Sequence, residues 1–215
     1  MNKILVIGDL HLKQKLGYAD YIKDGRTAEK KEVFDFIVEQ AKDCDGVVLM
    51  GDSFNDRNPV SSVVREFTEL LERLSGEREI FIIAGNHEIK NDGTTAIDYL
   101  NEVKGKNWYV VNNDLHGFTK GKELEFITLP YMTKGKLGVS TNDEAVKEIM
   151  DRLKEYHAGF LEKDSLKILF HHNAMTGTFV QSGQSVNEFP EPVLPMDELT
   201  KMFDMVIGGH IHSPK

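Results

Sequence analysis

The sequence predicts an α/β protein. Three observations carry that reading: short apolar, β-rich runs; helical patterns set between them; and glycine- or histidine-bearing turns where the runs end. With 215 residues the chain can bury a sizeable core as one large domain, 1–215, and it contains no repeat or Pro/Ser linker to divide it.

The first run, KILVI (Lys3 to Ile7), reads as a buried strand, as do GVVLM (Gly46 to Met50) and IFIIA (Ile80 to Ala84). Between the first two lies TAEKKEVFDFIVEQAK, whose Val33, Phe34, Ile37, Val38 and Ala41 share one helical face. A second helix is expected from about Pro59 to Leu74, with Asn58 as N-cap and Pro59 at its first position. Its stripe is Val63, Phe67, Leu70, Leu71 and Leu74, and Ser75–Gly76 ends it. This βαβαβ opening predicts a sheet with helical crossovers. Further strands are expected at WYVVN, EFITL, LKILF and DMVIG, in a more antiparallel second half. Between them, TNDE at Thr141 forms a capping box with Glu144, and Val146, Ile149, Met150 and Leu153 follow at helical spacing.

Composition narrows the function classes. The formal net charge of −9 is the wrong sign for general attraction to nucleic acid, since phosphate neutralisation needs Lys and Arg. Local clusters remain: Lys13, Lys15 and Arg26 follow the first strand, and Arg57 follows the second. A single cysteine, Cys44, excludes an internal disulfide framework and suits a reducing, cytoplasmic setting. The apolar start is too short for a signal peptide and is interrupted at Asp9; no other stretch reaches membrane length.

Five strands end in turns rich in metal-binding groups. KILVI runs into Gly8-Asp9-Leu10-His11, GVVLM into Gly51-Asp52, and IFIIA into Gly85-Asn86-His87-Glu88. LKILF runs into His171-His172-Asn173, and DMVIG into Gly209-His210-Ile211-His212. Singly, each is an ordinary turn or a core histidine. Together they stand at the carboxyl ends of strands, where open α/β sheets place their sites. Carboxylate, amide and imidazole donors without thiolate suit Mn²⁺, Fe or Zn²⁺. Their number exceeds one tetrahedral ion and fits two ions, about 3.5–4 Å apart, sharing one carboxylate. Strand alternation alone leaves both His171 and His172 open as the donor.

The ordered set D-x-H, GD, GNH[ED], H and GHxH resembles the calcineurin-like metallophosphoesterase superfamily, over nearly the whole chain. Within it, GDLHL, GDSFNDRNPVSS, LPYMTK, HNAMTG and GGHIH are most similar to the Mre11/SbcD-type nucleases and their phage relatives. That resemblance implies two mixed β-sheets sandwiched between helices. It assigns one ion to Asp9, His11, Asp52 and His212, and the second to Asp52, Asn86, His172 and His210, with Asp52 bridging. It favours His172 through the five-residue spacing to Gly177, with His171 as the alternative. It makes His87 catalytic, placed over the substrate phosphate rather than on a metal.

Two departures stand out. Glu88 replaces a frequent Asp, which is expected to be harmless, and Asn55 stands where relatives carry Asp or His. The implied function is two-metal hydrolysis of DNA, with Mn²⁺ foremost, in repair or recombination. The implied partners are DNA single strands or ends, a Rad50/SbcC-type ATPase and a second copy of the chain; the stripe from Val63 to Leu74 is a dimer candidate, with ordinary core as its favoured reading. The other reading is a phosphoesterase acting on a nucleotide, cyclic nucleotide or phosphoprotein. A scaffold that lost its metals would lack ligands, and none is missing. Relatives continue past GHxH into a capping domain, whereas this sequence stops at Lys215, so a core without the cap is expected.

Overall fold

The structure, a computed structural model, describes residues 3–14, 27–90, 92–160, 164–178 and 190–212. The first sheet contains β1 (Ile4–Ile7), β2 (Gly46–Leu49), β3 (Glu79–Ile83) and β4 (Trp108–Val111), in that spatial order and parallel at each pairing. The second contains β5 (His116–Lys120), β6 (Leu124–Leu129), β7 (Leu166–His171) and β8 (Met205–Gly208). There β5 and β6 are antiparallel, and the other two pairings are parallel. The α/β class holds, but among the described residues antiparallel strand pairing in the second half is confined to this one hairpin. A tight turn at 121–123 permits it, whereas β6, β7 and β8 are joined by long crossovers that return the chain to run parallel.

Alternation along the strands sorts their side chains into three layers. Val48, Met50, Phe81 and Ile83 meet Leu124, Phe126, Ile168 and Phe170 between the sheets. Val47, Leu49, Ile80 and Ile82 face the other way, under α1 (Thr27–Ala41) and α2 (Ser61–Leu74). Ile127, Leu129 and Leu169 lie under α4 (Asn142–Ala158) and α5 (Met196–Met202). Each fully buried Leu, Ile or Phe contributes roughly 1.5–3 kcal/mol. The whole is a sandwich of two sheets between helices.

Several local expectations need correction. Helix α2 starts at Ser61 rather than Pro59, and its N-cap is Val60, extended at φ −69°, with no side-chain cap. The Val60 carbonyl takes the Val63 and Val64 amides, so the turn closes two residues later than the Asn-Pro pair suggests. Its apolar stripe is wholly buried against the first sheet, so it is core, the favoured reading, rather than a dimer face. On α1, Val33 is 50% exposed, and Phe34, Ile37, Val38 and Ala41 alone pack inward. The capping box on α4 forms as expected, with Glu144 N–H donating to Thr141 Oγ1 and Thr141 N–H to Glu144 Oε2. Strand β5, the one-turn helix α3 (Lys134–Leu137) and α5 were not anticipated. No helix among the described residues is long and apolar enough to cross a membrane.

Candidate metal centre

The predicted donors converge at the carboxyl ends of both sheets. Strands β1, β2 and β3 lead into Asp9 and His11, Asp52, and Asn86 and His87; β7 leads into His172, and β8 into His210 and His212. Among the described residues, four non-glycines adopt left-handed φ: Asp9 (45°), His11 (45°), Asp52 (48°) and His210 (77°). Each is a predicted donor. Such backbones cost about 1–3 kcal/mol apiece and persist where surrounding contacts over-determine them.

Two clusters form. In the first, Asp9, His11 and His212 place ligand atoms within 4.8 Å of one another. The Nε2 atoms of His11 and His212 are 3.0 Å apart, and Asp9 Oδ1 is 3.6 Å from His212 Nε2. In the second, which joins Asp52, His172 and His210, His172 Nε2 lies 3.3 Å from Asp52 Oδ1. Asn86 Oδ1 completes that cluster, 3.3 Å from His172 Nε2 and 2.9 Å from His210 Nδ1. Asp52 stands between the two, with its other oxygen, Oδ2, 3.6 Å from His11 Nε2.

Proton positions follow from the outer bonds. His172 Nδ1 donates to the Met50 carbonyl at 2.5 Å, and His210 Nε2 faces Glu191 Oε1 at 2.8 Å. Each imidazole therefore carries its proton on the far nitrogen and turns a lone pair inward. The interior is then a nest of nitrogen and oxygen acceptors about 3 Å apart, which repel unless a cation lies among them. Burial opposes a charged His172, but the Asp52 carboxylate outweighs it and raises the imidazole above its ordinary range. Burial likewise opposes a charged Asp52, but bonds from His172 and the His87 amide prevail and hold it at about 2. His11 moves down, chiefly through burial. The oxygen and imidazole donor set fits Mn²⁺, Fe or Zn²⁺.

The structure separates the histidine pair. Ile168 and Phe170 face the other sheet, and His172 continues that side of the strand toward Met50. His171 points away and is buried; its Nδ1 accepts the Asn173 amide at 3.3 Å, and burial holds it down at about 3. It belongs to none of the donor clusters among the described residues. Two glycines make room for the site. A Cβ on Gly51, at φ +98°, would overlap the His172 ring, and one on Gly85 would overlap the Asp52 carboxylate.

His87 borders the first cluster, its ring 4.7 Å from that of His11, and it forms a third possible donor set with His11 and Asp52. Its Nδ1 donates to the Asn55 carbonyl at 2.6 Å, which leaves Nε2 for the site. Asn55 thus serves His87 through its main chain. Asn55, Asp56, Arg57, Asn58, Asn86 and His87 line an adjoining cleft of about 510 Å³. Of the basic candidates, Arg57 is on that cleft and Lys13 is half-buried near β1, while Lys15 and Arg26 lie outside the described residues.

The family model for calcineurin-like phosphoesterases matches residues 2–214. The chain belongs to the calcineurin-like phosphoesterase family. Over 104 residues, this phosphoesterase is 34% identical to the DNA double-strand break repair protein Mre11 of Methanosarcina acetivorans, which covers 47% of this chain and 16% of that protein. It is 26% identical to the SbcD component of the SbcCD nuclease of Bacillus subtilis, an alignment covering 99% of this chain and 57% of that protein. Among solved structures, the phosphopantetheinyl hydrolase of Mycobacterium tuberculosis is similar at 15% identity and a TM-score of 0.48, covering 99% of this chain and 84% of that one. The phosphoesterase therefore spans little more than half of the longer-matching curated relative.

Three residues of the phosphoesterase site carry roles that their sequence positions did not reveal. Glu88 is fully buried and accepts the amides of Gly85 (2.7 Å), Asp52 (2.9 Å) and Phe54 (2.8 Å). It staples the turn after β2 to the turn after β3. Burial first, and then Asp52, push its carboxyl up to about 7. The other two, Tyr131 and Glu191, stand behind His210. Tyr131 belongs to the LPYMTK segment, whereas Glu191 lies between two prolines and carries no local signal.

Proposed function

We propose that this phosphoesterase hydrolyses phosphodiesters, DNA foremost, at two divalent cations. One is held by Asp9, His11, Asp52 and His212, the other by Asp52, Asn86, His172 and His210. The observation that carries this reading is Asp52, whose two oxygens face different donor clusters, 3.6 Å from His11 and 3.3 Å from His172. When bound, such ions, with Mn²⁺ foremost, would lower the pKa of a water and offset charge on the phosphoryl oxygens.

The chain's own residues do the rest. Asp52 anchors both clusters and is itself fixed by the His87 amide, which donates to Oδ1 at 2.9 Å. His87, with Nδ1 engaged by Asn55, presents Nε2 to a phosphoryl oxygen, or, when protonated, donates to the leaving oxygen. Arg57 lies on the cleft beside it, where a neighbouring phosphate of a nucleic-acid strand would run. DNA as substrate is supported by the Mre11 and SbcD relatives. A Rad50/SbcC-type ATPase as partner belongs to the same proposal. With a net charge of −9, the chain gains little from general attraction to a polyanion, so flexible single strands or small diesters are its expected substrates.

A panel of single-stranded DNA, blunt duplex DNA and bis(p-nitrophenyl) phosphate with Mn²⁺ tests this, alongside metal analysis of Asp52→Ala. Single strands and the small diester should be cut, duplex poorly, and Asp52→Ala should lose both ions. Processive duplex digestion, activity confined to a phosphomonoester, or one ion held tightly by Asp52→Ala would each defeat the reading.

A further inference from the structure

We infer that Glu191 is a positioning residue for the cation cluster of Asp52, Asn86, His172 and His210, acting through His210; this rests on the two-cation reading above. The Glu191 side chain is only 10% exposed, and it engages a partner with each oxygen. Oε1 lies 2.8 Å from His210 Nε2, and Oε2 accepts the Tyr131 hydroxyl at 2.5 Å.

The chemistry runs in one direction. An ionised carboxylate has no proton to give, so the proton between Glu191 and His210 sits on Nε2. That leaves the lone pair on Nδ1, the atom 2.9 Å from Asn86 Oδ1 and turned into the cluster. A carboxylate behind an imidazole fixes its tautomer, sets its ring plane and makes it a stronger base toward a cation. His172 in the same cluster is backed by a neutral carbonyl, that of Met50. Glu191 thus adds a negative charge one imidazole away from the cation without occupying a ligand position.

Glu191 is itself held firmly. Tyr131 N–H donates to the Ala84 carbonyl at 2.8 Å, at the end of β3. The next residue, Met132, is clamped by Asn173, which accepts from its N–H at 3.0 Å and donates to its carbonyl at 2.9 Å. The Tyr131 ring centroid is 5.4 Å from that of His210. His210 has a left-handed backbone, φ 77°, and its amide donates to Asp9 Oδ1 at 2.9 Å. Backbone and ring are therefore fixed from opposite sides, by Asp9 and by Glu191.

The test compares the full chain with Glu191→Gln, Glu191→Ala and Tyr131→Phe, using Mn²⁺ titration calorimetry and the visible absorption of the Co²⁺ form. The parent should bind two ions. Glu191→Ala should weaken one of them by about 10–100-fold and leave the other unchanged, with only one component of the Co²⁺ spectrum shifting. Glu191→Gln, whose oxygen still accepts from Nε2 but carries no charge, should recover part of that loss, and Tyr131→Phe should lose less than either. Unfolding in EDTA should match the parent for Gln and Phe, which carry the test if the alanine variant does not fold. Equal weakening of both ions, or no change in either, overturns the role of Glu191. A parent that binds fewer than two ions instead overturns the two-cation reading, and the inference with it.

Discussion

Replacing Glu88 by alanine removes an acceptor shared by three buried amides, those of Gly85, Asp52 and Phe54. An unpaired buried amide costs about 1–3 kcal/mol, so three amount to roughly 3–9 kcal/mol. That is comparable with the entire stability of a domain, about 5–15 kcal/mol. Glutamine offers a finer probe. Its oxygen can replace Oε2, which serves Gly85 and Asp52, but its NH₂ then faces the Phe54 amide. One bond is lost, at about 1–3 kcal/mol. Urea unfolding in EDTA, followed by fluorescence of the single tryptophan, Trp108 on β4, reads both losses. With slopes of about 1–3 kcal/mol per molar urea, a loss of about 3 kcal/mol moves the midpoint by roughly 1–3 M. Metal affinity should fall as well, because Glu88 also holds the Asp52 turn. An alanine variant within about 1 kcal/mol of the parent would show that the amides find other partners, and the staple argument would fail.

Two further outcomes are expected. His87→Ala should retain both ions by metal analysis while turnover falls about 10²–10⁴-fold, the range for an acid–base group; metal lost in step with activity would make His87 a ligand. Lys136 is half-buried against the carbonyls of Asn112 and Tyr131, and desolvation lowers its pKa from 10.5 to about 8. A depressed folded pKa means that its neutral form suits the fold, so this contribution is full above pH 10.5 and is lost as pH falls through 8. Lys136→Met should flatten the rise in stability between those limits, measured by urea midpoints across the range, and an unchanged slope would refute it.

The first sheet was legible because its central strands, β2 and β3, are buried on both faces and read as unbroken apolar runs; Gly46–Leu49 is buried throughout. Strand β5 was not. HGFTK brings one large apolar residue, Phe118, to the inter-sheet layer from an edge position, and so has no run to detect. Helix α5 spans Met196–Met202, too short for a periodic signal. The side chains that cluster at strand ends were legible as candidates because each follows a short turn whose chemistry is local. His171 against His172 was not, since alternation yields two faces and only the packed second sheet says which one meets Met50. Glu191 was beyond reach for the same reason. Its role depends on the chain returning behind His210, a purely tertiary event.

The site is a product of the joint between the two sheets. The first sheet contributes Asp9, His11, Asp52, Asn86 and His87, and the second contributes His172, His210 and His212. Neither of the two main clusters is complete within one half: Asp9 and His11 need His212, and Asp52 needs His172 and His210, whereas the set of His11, Asp52 and His87 comes from the first sheet alone. The bonds that fix the donors cross the same joint. His172 reaches Met50, the His210 amide reaches Asp9, and the Tyr131 amide reaches Ala84. Below them, Met50, Phe81, Phe126 and Phe170 are packed to at most 1% exposure. Cores at that density do not slide by fractions of an ångström without repacking. The apolar layer therefore sets the distance between the donor sets, and the strained turns above it only aim them. A change in that layer thus acts on the distance between the first-sheet and second-sheet members of each cluster.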